Sequence, residues 1–181
     1  MNIQTTISKN FYQTTQNFSN KELYFYKKDG VWIGLSGKAI QSTVKDISFG
    51  LSSFGIGTGD QVAIISTNSP RWCMADYGII CSGATTVTIY PTLTAKQVEY
   101  ILNDSGSKIL FVENEEQLDK IKSIWKECPD LQSIILLDDS PSNDENVYTF
   151  SDFLDKGNQN EKQSEKSFED LIDIASPDDL L

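Results

Sequence analysis
The chain has 181 residues, 39% of them apolar and 23% charged, which suits a globular protein with room for a sizeable core. Its formal net charge of -11 and pI near 4.4 oppose nucleic-acid binding and general electrostatic docking on anionic lipid. The complete absence of histidine removes Ser-His and Cys-His catalysis and the commonest metal ligand, and three cysteines fit a reduced, cytoplasmic setting.

The N-terminal lead over 1–20 has scattered apolar residues from Ile3 to Phe18 and reads as a helix. Leu23–Tyr26 and Val31–Leu35 flank Lys28-Asp29-Gly30, and an Asp-Gly pair between such runs predicts a β-hairpin. Ser36 is placed to cap a helix whose stripe runs Ile40, Val44, Ile47, Leu51 and Phe54, with Gly55 as the left-handed residue beyond its end. A repeating alternation follows. Gln61–Ile65 is an apolar strand, and Ser69-Pro70 open a helix carrying Trp72, Ala75, Ile79 and Ile80. Thr86–Ile89 is the next strand, followed by a helix with a Thr94/Gln97 capping box and a Val98, Ile101, Leu102 stripe. Lys108–Val112 is a third strand, and Asn114 starts a helix lined by Leu118, Ile121, Trp125 and Cys128. Ile134–Leu137 is a fourth strand. Strands alternating with helices predict an α/β fold with a parallel sheet over 21–138, covered on both faces.

Residues 139–175 are acidic and polar and read as a surface excursion, with one short helix at Phe150–Leu154. Residues 176–181, Ser-Pro-Asp-Asp-Leu-Leu, read as a turn opening another strand, so the chain is expected to be truncated.

No catalytic constellation stands out. Gly55-Ile56-Gly57-Thr58-Gly59 follows a helix and leads into a strand, the reverse of a phosphate-binding loop, so a cap and turn are expected, closed by Asp60. Cys73 and Cys81 share one face of a helix and read as buried small residues. Parallel sheets bind ligands beyond the carboxyl ends of their strands, which singles out Ser66–Ser69, Tyr90–Thr94 and Glu113-Asn114. Capping explains Ser66–Ser69. Tyr90-Pro91-Thr92 could equally wall a pocket or turn the chain.

Four stretches, in order, resemble the adenylate-forming (AMP-binding) superfamily, in particular long-chain fatty-acid–CoA ligases. They are Gly55–Ile64 after the first long helix, Asn68-Ser69-Pro70-Arg71-Trp72, Gly83-Ala84-Thr85-Thr86-Val87-Thr88-Ile89-Tyr90-Pro91-Thr92, and Gln97–Gly106. Arg71 stands where the family usually has an acid, and Thr88 where it has proline. The resemblance implies an N-terminal portion of an enzyme that uses ATP, CoA and Mg2+ to convert a fatty acid through an acyl-adenylate to acyl-CoA, AMP and diphosphate. It also implies a cytoplasmic protein with peripheral membrane contact to collect substrate. The family's phosphate loop, adenine-binding motifs, magnesium-binding glutamate and catalytic lysine have no counterpart in these residues. No catalytic and no metal-binding residue is therefore assigned, this portion alone is expected to be inactive and to bind no cofactor, and Tyr90 and Thr92 are the candidate substrate-pocket residues. A freestanding regulatory module derived from the family and an unrelated flavodoxin-like binding protein are the alternatives.

Overall fold
A computed structural model describes residues 5–177 and Asp179. The protein is an α/β fold built on a five-stranded, wholly parallel sheet with a separate two-stranded antiparallel hairpin. In chain order the elements are α1 (Ile7–Asn17), β1 (Glu22–Lys28), β2 (Val31–Ser36), α2 (Gly37–Ser53), β3 (Gln61–Ile65), α3 (Pro70–Cys81) and β4 (Thr85–Ile89). Then follow α4 (Ala95–Ser105), β5 (Ile109–Val112), α5 (Glu115–Lys122), β6 (Ser133–Leu136), β7 (Val147–Thr149), α6 (Phe150–Gln163) and α7 (Phe168–Ile172). The strand order across the sheet is β4-β3-β5-β6-β7.

Local chemistry explains most of the boundaries. Ser36 accepts from the Ala39 amide at 3.2 Å, Ser69 from Trp72 at 3.1 Å and Asn114 from Gln117 at 3.1 Å, so each helix start has one otherwise orphaned donor satisfied. Thr94 and Gln97 form the expected capping box. Successive strand residues face opposite sides, and here both sides are covered. Val62, Ile64, Ile109 and Phe111 join a core with α1, α2, α3, α6 and α7. Ala63, Ile65, Leu110 and Val112 join a second core with α4 and α5. All eight of these strand residues are fully buried.

Three expectations need correction. The Leu118–Cys128 stripe is not one α-helix: α5 ends at Lys122 and Trp125–Glu127 forms a 3-10 turn. Trp125 is consequently half-buried, its indole N–H donating to the Leu131 carbonyl at 3.0 Å. Cys81 and Cys128 are buried as expected, but Cys73 is only half-buried. The largest correction concerns residues 139–175, which are not a surface excursion but supply β7, α6 and α7. Val147–Thr149 pairs in parallel with β6, and α6 runs for 14 residues where a single short turn of helix was expected. α6 buries Phe150, Phe153 and Gly157 against α2. Its polar composition hid it, because the residue at the closest approach is glycine. A Cβ on Gly157 would fall 1.8 Å from the Asp46 carbonyl oxygen. At the N-terminus α1 covers Ile7–Asn17, and Ile3 lies outside the described residues, as do Leu180 and Leu181 of the expected final strand.

Candidate functional site at the carboxyl edge of the sheet
A cleft of about 580 Å³ lies beyond the carboxyl ends of β3, β5 and β6. Ser66 follows β3, Glu113 follows β5, and Leu137 and Asp138 follow β6. The first turns of α3 and α6 supply Pro70, Arg71, Phe150 and Ser151, and the hairpin closes the outer side with Tyr26, Lys28 and Leu35. The parallel sheet brings these together, since every strand delivers its following loop to the same edge.

Within the cleft the polar groups are largely committed to one another. The Glu113 carboxylate accepts from the Thr67 amide at 3.0 Å and from its hydroxyl at 2.5 Å, tying the loops after β3 and β5 together. Arg71 donates to the Leu137 carbonyl, pairs with Asp139 at 2.7 Å and lies 4.9 Å over the Phe150 ring. Asp139 sits at a φ of 63° and also accepts from the Ser151 amide at 2.7 Å. Burial opposes its charge, but the Ser151 amide and the Arg71 guanidinium outweigh that and hold its carboxyl below the usual range. Arg71 and Asp139 thus clamp the start of α3 to the start of α6.

Of the candidate loops, Ser66–Ser69 and Glu113 meet in the cleft. Tyr90 and Thr92 do not line it: Tyr90 is 77% exposed and Thr92 is also exposed, while the carbonyl of Pro91 between them accepts from Lys120 at 2.6 Å. Asn114 is occupied by its cap. The Gly55–Gly59 segment is the expected turn, with Gly55 and Gly59 at φ of 74° and 88° and Asp60 accepting from the Gly57 amide at 2.9 Å. Asp60 also pairs with Lys108. Arg71, Leu137, Asp138 and Phe150 were not identified as site residues. The one signal was Arg71, which departs from the resembling family's acid.

Toward a triphosphate these residues offer one cation without an ion pair, Lys28. The guanidinium of Arg71 is committed to Leu137, Asp139 and Phe150, and Glu113 and Asp138 add negative charge. No thiol is poised as a nucleophile either. Burial pushes the Cys81 thiol up to about 12 and raises those of Cys73 and Cys128. Among the described residues no group of three or more Cys, Asp or Glu could hold a metal ion.

Comparison with known proteins supplies what the geometry alone does not. The AMP-binding enzyme family model matches residues 11–180. The long-chain-fatty-acid–CoA ligase ACSBG1 of Homo sapiens is 27% identical over 173 residues, 95% of this chain and 24% of that protein. The long-chain-fatty-acid–CoA ligase FadD15 of Mycobacterium bovis is 31% identical over 115 residues, 64% of this chain and 19% of that protein. Among solved structures, the anthranilate CoA ligase AuaEII in complex with anthranoyl-AMP superposes with a TM-score of 0.71 at 23% identity, covering 82% of this chain and 26% of that one. The chain thus spans about a quarter of the length of ACSBG1 and AuaEII. The match of the family model to nearly the whole sequence, on a fold shared with solved acid–CoA ligases, places this chain in the AMP-binding enzyme family.

Proposed function
We propose that this chain is the N-terminal part of a long-chain fatty-acid–CoA ligase, which joins a fatty acid to CoA at the expense of ATP through an acyl-adenylate. The observation that supports it most is the similarity of 95% of the chain to ACSBG1, carried by motifs in the order and spacing of that family. On this reading residues 176–181 lead toward a phosphate-binding loop held by the rest of the enzyme, and the carboxyl-edge cleft is one wall of a site the rest completes. The ionic and hydrogen-bonding commitments of Arg71 and Glu113 suit a wall rather than a reacting centre. Tyr90 and Thr92 remain candidates for contact with substrate on the completed enzyme, their side chains being free of the cleft.

The chain alone is therefore inactive and the extended product of the same gene is active. Fatty-acid-dependent ATP–pyrophosphate exchange is measured on both. Exchange above background by the 181-residue chain would overturn the division of labour. Silence of the extended product with fatty acids of every length would overturn the ligase reading.

A further inference from the structure
A second cavity, also about 580 Å³, opens where α1, β1, α2 and α3 meet, and it shares no lining residue with the carboxyl-edge cleft. Two local features leave it open. α1 lines it with the short side chains of Asn10, Thr14 and Thr15, where a core-facing helix ordinarily carries large apolar ones. Strand side chains alternate, but the register of β1 on β2 shifts between Glu22 and Tyr24, and the consecutive Leu23 and Tyr24 both line the cavity. The walls are aromatic and aliphatic. Phe11 and Ile40 are buried, Phe11 stacks on Tyr77 with ring centroids 4.5 Å apart, and Tyr24 and Tyr77 are half-buried. The exposed Ile7, Asn10 and Thr14 mark the mouth.

The chemistry of the lining narrows what it can hold. Among the described residues nine line the cavity and none of them is charged, in a chain that is 23% charged. An anion placed there would lose water without meeting a cation. Burial pushes the phenols of Tyr24 and Tyr77 above their usual range, and Asp76 nearby adds to the rise, so the local field also disfavours negative charge. Both phenols therefore stay protonated donors. Among the described residues neither hydroxyl has a hydrogen-bond partner, so each is free to donate to a ligand. Apolar walls hold water poorly, which favours an occupant that is itself largely apolar. The volume lies within the range of small-molecule sites, about 300–1,000 Å³. Three aromatic rings, Phe11, Tyr24 and Tyr77, favour a flat partner that can stack or meet them edge-on.

We propose that this cavity is a binding site for an uncharged aromatic ring compound carrying a hydrogen-bond acceptor: the ring packs on Phe11, Tyr24, Ile40 and Tyr77, and a tyrosine hydroxyl donates to the acceptor. The site does not rest on the ligase reading, whose fatty acid, ATP and CoA are all anions that this lining rejects. 2-Acetylnaphthalene and 2-naphthoate share a ring system and differ in charge, and each is titrated calorimetrically into the chain at low and high salt. High salt screens the general repulsion from the net charge of -11, so a preference that persists belongs to the lining. The ketone binds about tenfold or more tighter than the carboxylate under both conditions. Thr14→Trp fills the mouth from an exposed position and abolishes ketone binding. The double variant Tyr24→Phe/Tyr77→Phe keeps the rings, removes the donors and weakens ketone binding about fivefold. Should Thr14→Trp fail to fold by circular dichroism, the double tyrosine variant decides alone. No ketone binding, equal binding of the naphthoate, or ketone binding unchanged in either variant overturns the proposal. So does a chain that self-associates in light scattering and that Thr14→Trp turns monomeric, because the cavity then seats a second copy.

Discussion

Gly157→Ala tests the packing that the fold depends on most. On an exposed helix this change stabilises by about 1 kcal/mol, because alanine loses less backbone entropy than glycine. Here the added methyl would lie 1.8 Å from the Asp46 carbonyl oxygen, 2.7 Å from its carbon and 2.9 Å from the Gly50 nitrogen. All three obstacles are backbone of α2, so no rotamer change relieves them, and α6 must draw back. Retreat loosens Phe153, which is fully buried and stacks edge-on against Phe111 at 5.5 Å, and stretches the Asn160 bond to the Phe49 carbonyl. Overpacking costs about 1–3 kcal/mol where side chains can adjust; against fixed backbone the upper end applies, about 3 kcal/mol. Subtracting the helix gain leaves a net loss of about 2 kcal/mol, equivalent to a Tm drop of about 4–8 °C for a chain of this size. Urea denaturation followed by circular dichroism measures it, with Gln159→Ala on the exposed side of α6 as a control expected within about 0.5 kcal/mol of the parent. A Gly157→Ala variant as stable as the parent would refute the close approach of α2 and α6.

Three further outcomes are expected. Arg71→Met leaves the Leu137 carbonyl and Asp139 without their cation; the pair is partly solvated, so the loss is about 1–2 kcal/mol at pH 7. Because the folded Asp139 carboxyl titrates below its unfolded value, its contribution is present above the unfolded value and vanishes as pH falls through the folded one. The parent's acid-side fall in stability should therefore be steeper than that of the variant, and parallel curves would count against the clamp. Asp46 behaves oppositely. Burial, with Glu161 nearby, raises its carboxyl despite Lys45, and one carboxylate oxygen is buried without a partner. Asp46→Asn should thus stabilise by about 1 kcal/mol at pH 7, an advantage that shrinks as pH falls through the raised folded value; a pH-independent difference would exclude charge burial as the cause. Trp125→Ala should cost about 2 kcal/mol, less than the about 3–5 of a fully buried aromatic, and Trp125→Phe about 1 through the lost Leu131 bond. Loss of more than about 4 kcal/mol in denaturation would show Trp125 to be as deeply set as Phe153.

The sequence by itself determined the repeating unit of this protein and the family to which it belongs. β3 through β6 and their helices were legible because each is specified locally: β-branched runs for strands buried on both faces, Ser69-Pro70, Thr94/Gln97 and Asn114 for helix starts. The hairpin was legible through Asp29-Gly30, whose φ of 51° and 81° suit that turn. Only the tertiary structure decided the second half of the main core. β7 is three residues long and gains its bonds from β6, which no local pattern announces. α6 carries a face of Phe150, Phe153, Gly157 and Asn160, apolar at one end only, and becomes a core helix because glycine lets two backbones meet. The same holds for the site. Loops after β3 and β5 were expected at the carboxyl edge, since a parallel sheet sends them there. The clamp of Arg71 with Asp139 joins residues 68 positions apart and exists only because β6 and β7 place α6 beside α3. Tyr90 lies outside the cleft, 77% exposed on the loop after β4, which is the end strand of the sheet among the described residues.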